Sequence, residues 1–181
     1  MHRMRLLVCY LEKKWMQKLS PADKKVFRTI RYMDDTLMMI AKQPDNHHLR
    51  IIKDFEETCY TPLQLEDGAK NTFLETRFSV EENHLRHWLK NDNEGGENKV
   101  WRYQHYHSHA PFLQKQALLT SCLKKVQKLA SSSHELYKSA WEKLREFQRL
   151  AYPITVLRGA CKYLAASTGT ALWLDIRDQF D

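Results

Sequence analysis

Two hydrophobic periods alternate along the chain, and the switches between them mark its elements. Leu7, Leu11, Trp15 and Leu19 recur at helical spacing, with Lys13, Lys14, Gln17 and Lys18 off that stripe, predicting a helix over Arg5–Leu19. Ser20-Pro21 stops it. Lys25–Arg31, with Val26, Phe27, Thr29 and Ile30, reads as a strand, and Thr36–Ala41 as a second. Only Tyr32 to Asp35 separates them, which is hairpin spacing. Pro44 suits the first turn of the next helix, whose stripe is Leu49, Ile52, Phe55 and Cys59. Around Pro62 the period falls to two. Leu74, Thr76, Phe78 and Val80 alternate with Glu75, Arg77, Ser79 and Glu81, Asn83 marks a turn, and His84–Lys90 alternates again. This predicts a second hairpin with one buried face. A polar loop over Asn91–Asn98 leads into "KVWRYQHY", read as a strand.

From Pro111 onward the pattern is helical. Leu118, Cys122, Val126 and Leu129 form one stripe, with Lys124, Lys125 and Lys128 mostly off it. Ser132-x-x-Glu135 has capping-box spacing and starts a second helix lined by Tyr137, Trp141, Leu144, Phe147 and Ala151. Tyr152-Pro153 ends it, and Ile154, Leu157, Cys161 and Leu164 begin a third, with Gly169 as its C-terminal cap. There is no internal repeat. The fold class is α+β: a mixed portion over 1–106 followed by a helical portion over 107–181.

Composition narrows the class. Hydrophobic residues make up 43% of the 181, which excludes a disordered chain. The net charge of +7 suits an anionic partner, nucleic acid first. Leu6–Leu11 is too short to span a membrane, runs into Glu12-Lys13-Lys14, and lacks the form of a secretory signal. The expectation is an intracellular protein, nuclear or cytoplasmic, neither secreted nor membrane-bound. Cys9, Cys59, Cys122 and Cys161 are widely spaced with no CxxC pair, which favours reduced core thiols over zinc ligands.

The chemistry centres on Asp34-Asp35. Adjacent carboxylates repel, so the pair wants solvent or a cation. Magnesium prefers carboxylate and phosphate oxygens together, and two such ions drive phosphoryl transfer. Aspartates at a hairpin tip are rigidly held yet open to substrate. A solvated Asp-Asp turn is the plain alternative.

Tyr32-Met33-Asp34-Asp35 resembles the YxDD box of reverse transcriptases, the third catalytic motif of their palm, and the likeness extends in order along the chain. "LLVCYLEKKWMQKL" resembles the palm helix before that hairpin, and the Pro44–Cys59 segment the helix after it. "NTFLETRFSVEENHL" resembles the following FLD-type hairpin near the primer grip. "VWRYQHYHSHAPFLQKQALLTSCLKKVQKLASSS" and "LREFQRLAYP" resemble the downstream region and thumb of retroelement polymerases, Penelope-like elements among them. The resemblance implies a partial palm followed by a thumb-like region. It implies RNA-templated DNA synthesis from an RNA template, a DNA primer and deoxynucleoside triphosphates. Asp34 and Asp35 would bind Mg2+ or Mn2+ as catalytic ligands. Tyr32, Met33, Phe73 and Leu74 would lie near primer and template, and Lys115, Lys124, Lys125 and Lys128 would track the nucleic-acid backbone.

Two departures limit this. The FLD-type block reads Phe73-Leu74-Glu75, with Glu for Asp. The first catalytic motif, which supplies another metal-binding aspartate, has no counterpart: the one Asp before the box, Asp23, is in the wrong place. The chain therefore reads as a C-terminal piece of a polymerase, inactive alone. Two alternatives stay open, a non-catalytic nucleic-acid-binding remnant and an unrelated helical interaction protein with a chance YMDD. His105, His107 and His109 would share one strand face, although a metal needs a complete ligand set. His47-His48 reads as an exposed helix start. Trp88, Trp101 and Tyr103 offer stacking surfaces, with core packing the stronger expectation.

Overall fold

Two separate cores form, one in each of two units, Met1–Leu74 and Glu75–Asp181. The computed structural model describes residues 2–33, 35–63, 71–82, 84–90 and 102–180. The loop over 91–98 and the start of the "KVWRYQHY" segment lie outside the described residues.

The first unit runs α1 (His2–Lys18), α2 (Pro21–Val26), β1 (Phe27–Tyr32), β2 (Asp35–Ile40), α3 (His47–Tyr60) and the short β3 (Thr72–Phe73). Its core is aromatic. Trp15 meets Phe27 at 5.3 Å and Phe55 at 4.9 Å between ring centroids, both edge-on, the arrangement favoured by the ring quadrupoles. The Trp15 indole N–H, which needs a partner once buried, donates to Asp54 Oδ2 at 2.6 Å. The inward stripe of α1 is Val8, Glu12 and Trp15, so Leu7, expected inside, is 55% exposed. On α3 the stripe is Ile51, Phe55 and Cys59, and Leu49 is likewise outside.

A helix interrupts the first predicted strand. Ser20 caps α2 by accepting from the Asp23 N–H at 3.1 Å, and Pro21 sits in the first turn, where its missing N–H costs nothing. Lys25 and Val26 therefore belong to α2 and β1 starts at Phe27. Pro44 lies in the turn before α3 rather than in its first turn.

The second unit contains β4 (Thr76–Glu81), β5 (His84–Leu89), α4 (Phe112–Leu129), α5 (Ser133–Arg149), α6 (Ile154–Thr168) and α7 (Leu172–Gln179). β4 and β5 pair antiparallel from Thr76↔Leu89 to Glu81↔His84. The expected buried face is absent: no described residue of this hairpin is fully buried, and Val80 is 71% exposed. The hairpin covers the helical core instead of forming it. Leu89 packs against that core, and the Ser131 N–H and His87 carbonyl join the hairpin to the α4–α5 connection at 2.9 Å. Because it folds with the helices, the boundary lies at Leu74/Glu75 and not near residue 106.

Helices supply the second core, through Leu119, Leu123, Val126, Leu144, Phe147, Leu157, Leu164, Trp173, Ile176 and Phe180. The Ser132 hydroxyl accepts from the Glu135 N–H, as the capping spacing predicts. Gly169 ends α6 at φ 69°, a left-handed conformation that glycine adopts without strain. α7 follows, unpredicted, and buries Trp173, whose indole donates to Gln127 Oε1 at 2.9 Å. Arg102–Tyr106 is not a strand. Tyr103 stacks on Phe147 at 4.9 Å, and the Tyr106 N–H donates to the Leu150 carbonyl. Among the described residues no helix is long and apolar enough to cross a membrane.

Phe55 has no exposed surface and touches three aromatic neighbours. Phe55→Ala should cost about 3–5 kcal/mol, read from urea unfolding of the first unit by Trp15 fluorescence. Burial also pushes the Cys59 and Cys161 thiols from 9.0 up to about 11. The unfolded chain ionises these thiols first, so their contribution is complete below pH 9 and falls as pH rises toward 11. The urea midpoint should drop across that window, and less so in a Cys59→Ala/Cys161→Ala variant.

Candidate functional site

The hairpin at the Tyr-Met-Asp-Asp stretch forms with β1 and β2 antiparallel, from Phe27↔Ile40 to Tyr32↔Asp35. Two residues connect the strands. Such connections favour positive φ at their first position, and Met33 takes φ 52°. Asp34 lies outside the described residues.

Strand alternation divides the hairpin into two faces. Phe27, Thr29 and Arg31 with Ile40, Met38 and Thr36 face the helices. Arg28, Ile30 and Tyr32 with Met39, Leu37 and Asp35 face away. Tyr32 is 52% exposed and Asp35 is exposed opposite it. Met33 also projects outward. Phe73 is half-buried in β3, and Leu74 is exposed at φ 54°.

Behind the tip stands a charge network the sequence reading missed. Arg31 on β1 donates from Nε to Glu12 Oε2 at 3.0 Å and from Nη2 to Oε1 at 2.5 Å. Its Nη2 also donates to the Tyr60 hydroxyl, which in turn donates to Glu12 Oε1. Thr36 Oγ1, on the residue paired with Arg31, lies 3.4 Å from that hydroxyl. The remaining Arg31 nitrogen donates to the Met33 carbonyl at 3.2 Å. One guanidinium thus ties the turn to α1 and α3. Burial, and then donation to Glu12, push the Tyr60 phenol up to about 12, so it stays a donor. The Glu12 carboxylate holds Arg31 above its ordinary value. The available signal was Glu12 itself, an acid directly beside the Leu11–Trp15 stripe of α1.

Asp23 is fully engaged elsewhere. The Ser20 hydroxyl donates to its Oδ2 at 2.7 Å and His47 Nε2 lies 2.8 Å from Oδ1, and these partners hold its carboxyl below the usual range. His47 is therefore a partner and not a bare helix start. The described residues do not compose a magnesium site: no three His, Cys, Asp or Glu side chains converge among them, and the hairpin tip presents Asp35 as its described carboxylate. His105, His107 and His109 lie in irregular backbone, a turn and a bend, not on a strand face.

The four lysines separate. Lys115 is buried, donating to the carbonyls of Tyr106 at 2.5 Å and Ser108 at 2.6 Å. It anchors the segment before α4 and is not available to phosphates, which corrects its expected role. Lys125 pairs with Glu75. Lys124 lies over the Tyr163 ring, 5.3 Å from its centroid, and Lys128 is exposed. Tyr103 packs against the core rather than offering a free stacking face, while Trp101 lies outside the described residues and Trp88 is half-buried.

No protein family, curated protein or solved structure matches this chain.

Glu12→Ala leaves a largely buried guanidinium without its anion and should cost about 3 kcal/mol. Glu12→Ala with Arg31→Met should cost less than the two single changes added together. A urea double-mutant cycle measures both. Additive costs would show that the two side chains do not act as a unit.

Proposed function

We propose that the Met1–Leu74 unit is part of a reverse-transcriptase palm and that the second unit carries a thumb-like helical region. In this reading the complete polymerase performs RNA-templated DNA synthesis by nucleotidyl transfer. Asp34 and Asp35 bind Mg2+ or Mn2+ there, and Tyr32 and Met33 lie beside primer and template. The observation that carries the reading is the paired Tyr32 and Asp35 at the tip of a tight antiparallel hairpin, on the face turned away from the supporting helices. The ordered likeness of the flanking segments to the palm adds to it. These residues hold part of the carboxylate set that two-metal chemistry needs, so the isolated chain should not extend a primed RNA template.

Manganese tests the reading on the chain as it stands. In a 15N-labelled sample, Mn2+ should broaden the amides of residues 32–36 first. Asp34→Asn and Asp35→Asn should each weaken that binding about tenfold, because each removes one negative oxygen ligand and little shape. Broadening spread evenly over the acidic surface, or unchanged in both variants, would overturn the metal-binding role. Robust primer extension by the isolated chain would overturn the assignment of parts.

A further inference from the structure

Acidic residues are segregated within the helical unit, while cations occur on all four of its helices. α4 and α6, which pack together, carry Lys115, Lys124, Lys125, Lys128, Arg158 and Lys162 and not one Asp or Glu. The acids sit on the other two helices, Glu135, Glu142 and Glu146 on α5 and Asp175 and Asp178 on α7. Three of the six cations are engaged: Lys115 with two carbonyls, Lys125 with Glu75, and Arg158 through Nε with the Phe180 carbonyl at 3.1 Å. Lys124, Lys128 and Lys162 make no ion pair with any described residue.

Tyr163, next to Lys162 on α6, is 54% exposed, and Lys124 of α4 lies over its ring. Gly159 is one turn earlier on the same face of α6 and has open space where a Cβ would stand. No described side chain crowds that point on the surface of α6. Lys124 and Lys128 are also one turn apart, about 6 Å along α4. The seam thus carries a half-exposed aromatic ring, Lys124 against that ring, and two further cations, Lys128 and Lys162, that make no ion pair with a described residue.

We propose that this α4–α6 seam binds single-stranded nucleic acid, with an unpaired base stacked on Tyr163 beside Gly159 and Lys124, Lys128 and Lys162 on the flanking phosphates. A duplex covers its base faces by its own stacking, so an exposed ring finds a partner only in an unpaired strand. The lysines position the backbone without reading sequence. An acidic polypeptide would satisfy the charge and leave the ring unused. The inference deepens the basic-helix part of the reading above and does not rest on the hairpin.

The test is fluorescence anisotropy of the whole chain with labelled oligo(U), oligo(dT) and a duplex of equal length, over a range of salt. Both single strands should bind more tightly than the duplex. Tyr163→Leu should weaken single-strand binding about tenfold while Tyr163→Phe keeps it, since stacking needs the ring and not the hydroxyl. Lys124→Ala/Lys128→Ala/Lys162→Ala should lower the magnitude of the log–log salt slope by about 2, at roughly 0.7 per phosphate contact on a single strand. Circular dichroism of each variant guards against loss of fold, and these substitutions are at surface positions. Duplex preference with Tyr163→Leu indifferent would overturn the stacking site and leave a duplex-tracking thumb standing. Equal competition by polyglutamate would reduce the seam to a general polyanion surface and overturn the proposal. Absence of binding to every probe would overturn it too, and the manganese result at residues 32–36 would be untouched.

Discussion

A two-stranded hairpin is marginal in water by itself, and that constraint organises the first unit. β1 and β2 have no further strand along the described ladder, so their inner face must be held from behind. Two contacts do this. Phe27 enters the Trp15–Phe55 aromatic cluster at the root of the hairpin. Arg31, near the tip, enters the Glu12–Tyr60 pair. The first is apolar and tolerant of small shifts. The second is directional, and it also reaches the turn through the Met33 carbonyl. A buried guanidinium is costly unless its donors are met, so the network permits few positions for the strand that carries it.

The same constraint governs which side chains face outward. Side chains alternate along a strand, so bringing Arg31 inward sends Tyr32 outward, and its partner Asp35 with it. A slip of one residue would bury Tyr32 and Asp35 against α1 and α3 and turn Arg31 to solvent. The ion network thus acts as a register pin for the exposed tip. Whatever the tip binds, its presentation is set from behind by residues that never reach the surface face.

The helical unit solves a different problem, because its surface charge has to be distributed around a large apolar core. Acids on α5 and α7 meet cations nearby, as Lys143 does Glu146 at 2.6 Å and Arg177 does Asp178 at 2.7 Å. α4 and α6 have no acids to offer. Lys115 shows that position on such a helix decides the role of a cation. It falls on the α4 stripe with Leu119, Leu123 and Val126 and is drawn inside, where two carbonyls replace water. Lys124 and Lys128 fall outside the stripe and remain at the surface.

Much of the local structure was legible in the residues. The strand-like runs on either side of Tyr32–Asp35 pointed to a hairpin, since the four residues between them are hairpin spacing. Ser132-x-x-Glu135 and Gly169 marked helix ends because capping is a short-range hydrogen-bonding matter. The α+β class and a separate helical region follow from such local signals. Tertiary structure decided the rest. It set which flank of each apolar stripe turned inward, so that Val8 and Ile51 are buried where Leu7 and Leu49 are not. It paired Glu12, Arg31 and Tyr60 across as many as 48 residues, and it took Lys115 out of the basic surface. It also made β4–β5 a cover for helices and not a core sheet, moving the boundary to Leu74/Glu75. Periodicity states that a face is apolar. The direction of that face, and the partner of a charge within it, depend on contacts between segments distant in the chain, which no local pattern contains.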